Sequence, residues 1–285
     1  YSWNRDEMFA TGALTLLQLL ELVPGVTTFT TGNLASPQFA AYAGNPGRVR
    51  VFIDGMEIDN LDPRAGGALD LGEVQLWSLE QVTVERGADE IRVYCRSWSV
   101  DRTTTSTRID ILTCDQRTFI ARAVFGKRYN HGELLQVGVQ SYGRSSDPSV
   151  GGGNELALFA RLGWANKRWS VDGYYMHAGR TRDLREQDFG NTLLEPDIPE
   201  QDRTRADMYF RAGYGTPDSG VWAQAMVAHS NFTENSPFSN IPDLPVDSAD
   251  TTRTSTQYIA TGGFTRWGLR LSGVERYHQL QTGGV

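Results

Sequence analysis

The spacing of hydrophobic positions changes character part-way along the chain. In residues 11–23, "TGALTLLQLLELV", Ala13, Leu16, Leu17, Leu20 and Val23 recur at helical spacing, and Pro24-Gly25 then stops the helix. A Gly, Ser, Thr and Pro-rich loop follows. In "RVRVFIDGMEI" Val49, Val51 and Ile53 alternate before an Asp54-Gly55 turn, a strand entering a hairpin. Shorter alternating stretches, "LEQVTVERG", "EIRVYCR" and "TRIDILTC", complete an α+β unit of residues 1–117.

From residue 133 the helical period disappears, and seven long alternating segments follow one another. Leu156, Leu158, Ala160, Leu162 and Trp164 form one face of their segment, with Glu155, Phe159, Arg161 and Gly163 on the other. Segments around 135–139, 208–214 and 267–271 repeat the pattern. The segment 221–229 fits least well, because Trp222 and Met226 fall on its otherwise polar face. The segment 118–129 is ambiguous, an extra strand of the first unit or a linker strand.

Connections alternate between short and long. Those after residues 165, 215 and 265 are tight, whereas those after 143, 178 and 230 are long. An up-and-down sheet with its tight turns at one end produces this order, and 9–11-residue segments suit a tilted membrane crossing. Trp164, Trp169, Trp222 and Trp267 stand beside the tight turns, which predicts an aromatic girdle where hydrocarbon meets the polar interface. A soluble sandwich also alternates, but its strands run shorter and its loops are not sorted by length.

Composition narrows the partners. Aromatics make up 11% of the 285 residues and net charge is −7 with no basic run, so nucleic acid is not an expected partner. No stretch is long and apolar enough for a membrane helix, and "YSWNRDEMF" lacks the pattern of a signal peptide. His131, His177, His229 and His278 show no ligand spacing, so no metal site or cofactor is expected. The cluster Asp54, Glu57, Asp59 and Asp62 reads as solvated turn charge in preference to a Ca²⁺ loop. No Gly-x-Ser-x-Gly, phosphate loop or His-Glu-x-x-His is present, so an enzyme is not expected. Cys95 and Cys114 bracket one segment of a predicted strand pair, and read either as two unrelated thiols or as one disulfide formed in an oxidising compartment.

The order "LLQLLELVPGV", "RVRVFIDGMEID", "LWSLEQVTVERG" over residues 11–87 resembles the plug domain of TonB-dependent outer-membrane receptors. In that reading Pro24, Gly25, Asp54, Gly55, Arg86 and Gly87 are structural motif residues. The resemblance implies an α+β plug (1–117) followed by antiparallel transmembrane β-barrel strands (118–285), the N-terminal portion of a barrel of about 22 strands. It implies the outer membrane of a Gram-negative-type bacterium, with lipid, an energising TonB-type inner-membrane complex and a small-molecule or saccharide ligand as partners. The family's usual glycine-rich continuation after Arg86-Gly87 is replaced here by "ADEIRVYCRSWSVDRTTTSTRIDILTC", where Cys95 and Cys114 are candidates to clamp a variant hairpin.

Import of an iron chelate, cobalamin or saccharide is the implied function. A plug-bearing surface binder without import, and a soluble carbohydrate binder, are the alternatives. The plug apices are expected in loops 27–47 and 59–73, where Phe39, Tyr42 and Arg64 are candidate ligand contacts. Arg86 is expected to hold the plug against inward charges such as Arg161, Arg211, Arg270, Glu155 and Asp207. The outer loops 179–205 and 231–253 are acidic and argue against a strongly anionic ligand.

Overall fold

The computed structural model describes residues 1–30, 34–62, 65–114, 118–145, 152–183, 200–235, 251–267 and 269–283. The chain opens with β1 (Ser2–Asn4) and α1 (Arg5–Ala10). Asn4 caps α1, with Glu7 returning the bond to the cap backbone, so this helix is written in the sequence as a capping box. The second helix, α2 (Leu16–Leu20), is shorter than the 11–23 stripe. Gly12 at φ 75 interrupts the chain before it, Thr15 accepts from the Gln18 N–H as its cap, and Gly25 at φ 87 turns the chain away. All four leucines of α2 are buried, Leu19 among them although the stripe omits it.

The plug sheet comprises β4 (Val49–Ile53), β5 (Met56–Glu57), β6 (Leu79–Arg86) and β7 (Ile91–Ser97), in the order β1-β6-β7-β4-β5; a separate hairpin pairs β2 (Val26–Thr30) with β3 (Gln38–Tyr42). Asp54 and Gly55 both take positive φ, 51° and 98°, which gives β4–β5 its tight turn. Val51, Ile53, Val82, Val84, Ile91, Val93 and Cys95 bury one continuous core with the α2 leucines.

Nine strands form the second sheet, each antiparallel to the next: β8 (Ser106–Cys114), β9 (Thr118–Arg128), β10 (Glu133–Arg144), β11 (Gly153–Ala165), β12 (Trp169–Asp183), β13 (Glu200–Thr216), β14 (Ser219–Asn235), β15 (Thr251–Arg266) and β16 (Leu269–Gly283). The strands β10 to β16 are the seven alternating segments, lengthened beyond the expected crossing. The ambiguous stretch 118–129 is β9 and belongs to this sheet. So does β8, which pairs with β9, so the sheet begins inside the 1–117 unit read from sequence.

Register decides which face each residue takes. Leu158, Leu162, Val221, Phe210 and Leu271 point outward and are exposed, while Gln136, Glu155, Arg161, Gln201, Arg205 and Asp207 point inward and are buried. A soluble protein would place these two groups the other way round. The sheet is the lipid-facing wall of an outer-membrane-type structure, hydrophobic outside and polar inside. Trp169 (53% exposed) and Trp267 (83%) stand outward at the tight-turn end with Trp164. Trp222 does not join that girdle. It pairs across the sheet with Gly263, where the missing side chain leaves room for an inward indole, and it is buried under the Arg270 guanidinium. Among the described residues no helix is long and apolar enough to cross a membrane.

Candidate functional site

The plug rests against the inward face of the nine-stranded sheet, and this interface is the candidate site. Its centre is Asp70. One carboxylate oxygen accepts from the backbone N–H of Gln38 at 2.8 Å and of Gly72 at 2.9 Å, tying two plug segments together. The other lies 3.2 Å from Arg180 Nη1 and 3.7 Å from Arg203 Nη1. Arg180 donates in turn through Nε to Glu155 at 2.6 Å. Glu155 accepts from Gln140, which reaches Gln75 of the plug at 3.0 Å.

Further pairs surround this centre. Arg203 meets Asp62 at 3.0 Å, Arg205 meets Glu73 at 2.5 Å, Arg276 meets Glu57 at 3.1 Å and His278 meets Asp59 at 2.9 Å. The plug supplies the carboxylate every time and the strands supply the nitrogen base. Gln257 adds a two-way clasp on the Glu57 backbone, donating to its carbonyl at 2.7 Å and accepting from its N–H at 3.1 Å. Toward the tight-turn end, Tyr209 donates to Asp54 at 2.7 Å, and Arg161 donates to Ser97 Oγ at 2.9 Å. Asp172 holds both Arg161 and Arg211, at 2.9 and 2.7 Å. Apolar contact is made where the sheet lacks side chains: a Cβ on Gly138 would stand 2.8 Å from the Trp77 ring.

Buried charges of this kind survive only when paired and hydrogen-bonded. The Asp54, Glu57, Asp59 and Asp62 cluster is therefore not solvated turn charge; each of these side chains serves the interface, Asp54 through Tyr209 and Ser97. Burial, with Asp70 close by, outweighs the pull of Arg205 and lifts the Glu73 carboxyl to about 7. Among the described residues no three His, Cys, Asp or Glu side chains converge as metal ligands.

Several residues singled out from sequence sit elsewhere. Arg86 is exposed against Tyr42 and reaches none of the inward charges expected to hold it. Arg161, Arg211, Glu155 and Asp207 do face inward, but they bind one another's neighbours: Asp172, Arg180 and Arg205. Tyr42 is buried and donates to the Gly87 carbonyl at 3.1 Å, which braces the plug. Phe39 is half-buried on β3 opposite Phe29, and Arg64 lies outside the described residues. Cys95 is a free buried thiol, not half of a disulfide. The expected hairpin is split, since β7 joins the plug sheet and β8 the second one. Burial pushes the Cys95 thiol well above its usual range.

Sequence reasoning missed Asp70, Glu73, Arg180, Arg203 and Arg205. The arginines were absorbed into the outer loop assigned to 179–205, although they continue the inward parity of Met176, Ala178 and Asp207. Extending the alternation past residue 178 would have found them.

Comparison with known proteins agrees with this geometry. Residues 1–94 match the TonB-dependent receptor plug domain. The fold is similar to the siderophore receptor PiuA from Acinetobacter baumannii (TM-score 0.71, 12% identity, covering 99% of this chain and 46% of that one). It is also similar to P. aeruginosa FpvA, solved with heterologous pyoverdines (TM-score 0.68, 9% identity, 96% and 41%). A third is the ferric yersiniabactin uptake receptor FyuA from Yersinia pestis (TM-score 0.66, 12% identity, 98% and 52%). The chain thus spans about half the length of these receptors. No curated protein has a sequence that matches it.

A plug seated on the polar inner face of a lipid-facing antiparallel sheet defines the TonB-dependent outer-membrane receptors, a family of transporters and not enzymes. Residues 1–94 carry that family's plug domain, and the strands that follow share the fold of the similar receptors.

Proposed function

We propose that the protein imports a scarce solute of the metal-chelate class across the outer membrane, moving its plug when an energising inner-membrane complex pulls on it. The observation that carries this reading is the chemistry of the plug seat. Plug and wall meet largely through ion pairs and hydrogen bonds, groups that water can satisfy again once the plug shifts, whereas a wholly apolar seat would fix it. Names of the similar receptors, which include siderophore and ferric chelate uptake, support the solute class. Uptake of a panel of radiolabelled ferric siderophores by cells with and without a working energising complex is the test. Accumulation that requires the complex is expected; accumulation indifferent to it contradicts the proposal.

A further inference from the structure

Among the described residues, every ion pair between plug and wall runs in one direction, with carboxylate on the plug and base on the strands. A plug that moves therefore takes its carboxylates away from Arg180, Arg203 and Arg205, which are left with the wall's own Glu155, Glu234 and Asp207. Toward the long-loop end, Arg144, Arg182 and Arg253 share the inward parity of Arg180, Arg203 and Arg205. Arg144 is buried, and its Nε has no hydrogen-bond partner among the described residues; the same holds for Arg253 Nε. Arg180 and Arg205, although ion-paired, each keep one buried terminal nitrogen without a hydrogen-bond acceptor. Buried guanidinium groups with open donors are a standing site for oxyanions, which they bind through charge-assisted hydrogen bonds.

Resting on the receptor reading above, we infer that this arginine belt takes an oligoanionic solute, one presenting several carboxylates or phosphates. Its acid groups enter at Arg144, Arg182 and Arg253 and exchange with Asp62 and Asp70 for Arg180 and Arg203. No bond to carbon changes; one carboxylate replaces another on the same guanidinium. The plug carboxylates act as resident competitors, so solute and plug each weaken the other's hold, and by linkage the effect is reciprocal. The acidity of "REQDFGNTLLEPDIPEQD" and "ENSPFSNIPDLPVDSAD", which argued against an anion, belongs mostly to residues outside those described; Glu200, Asp202 and Glu234 lie on β13 and β14, with Glu234 paired to Arg203.

The test uses the full-length receptor in detergent, with citrate as probe and chloride and spermidine at matched ionic strength as controls. Plug release in urea is followed by alkylation of Cys95, and citrate binding by calorimetry. Citrate is expected to lower the urea midpoint where the controls do not, and Arg144→Gln with Arg182→Gln to weaken citrate about tenfold. Asp70→Asn is expected to strengthen citrate binding by a similar factor, because a competitor is gone; a residue that merely props the site would weaken it. Asp62→Asn carries the same expectation if Asp70→Asn does not assemble. Pyrophosphate run beside citrate shows whether phosphate serves as well as carboxylate, and preference for either over chloride upholds the inference. Citrate behaving as chloride, together with pyrophosphate doing the same, or citrate weakened by both aspartate replacements, overturns it. Complex-dependent uptake is measured separately and survives such a failure, so the two readings fail independently.

Discussion

Asp70 of the plug and Arg180 of the sheet face each other at 3.2 Å with side chains only 1% and 5% exposed. At that depth neither charge has water to fall back on, so the contact joins two units that each need the other's charge. Asp70→Asn keeps an oxygen for the Gln38 and Gly72 N–H groups but removes the charge between Arg180 and Arg203. Breaking such a pair costs about 3 kcal/mol. The urea midpoint for plug release is expected to fall by a corresponding amount while the sheet's circular-dichroism transition stays in place.

Trp77 and Gly138 make the apolar part of the seat. Replacing Gly138 by Ala would put a methyl 2.8 Å from the indole, and overpacking of this kind costs about 1–3 kcal/mol. Trp77→Phe shortens the ring at the point of collision. In a double-mutant cycle the pair should therefore recover part of the loss, with a coupling energy clearly different from zero.

Much of this arrangement was legible in the chain. Strict alternation in 156–164 and 208–214 placed the outward leucines and aromatics correctly, because a strand has only two faces and one of them meets lipid. The plug's Leu-rich helix and Asp54-Gly55 turn were equally plain. What could not be read was pairing between units far apart in sequence: Asp70 and Arg180 are 110 positions apart, and nothing local marks them as partners. Trp222 shows the same limit, since its inward position depends on Gly263 of the neighbouring strand. The split of β7 from β8 is also a tertiary matter, as both carry strand-forming sequence and the choice of sheet lies in what each packs against.

Glu73 gives the seat a pH dependence. Its carboxyl is lifted from 4.5 to about 7 by burial, so the seated plug holds a proton that the released plug gives up. The contribution is therefore full below about pH 4.5 and is lost as pH rises through 7. The urea midpoint for plug release should decrease between pH 5 and pH 8, and Glu73→Gln should flatten that decrease.

Cys95 serves as a reporter of plug integrity. Buried in the plug core and held protonated, it should resist maleimide in the native receptor and react fully once the plug opens in urea. Intact-mass analysis without reductant checks this, and should find Cys95 alkylated after unfolding without prior reduction.

The central claim is that lipid meets one face of these strands and the plug the other. Nitroxide labels placed singly at positions 155 to 162 of the full-length receptor in outer-membrane vesicles test it most directly. Oxygen accessibility should be high at 156, 158, 160 and 162 and low at 155, 157, 159 and 161. Uniform accessibility along the run, or the opposite alternation, would contradict the account.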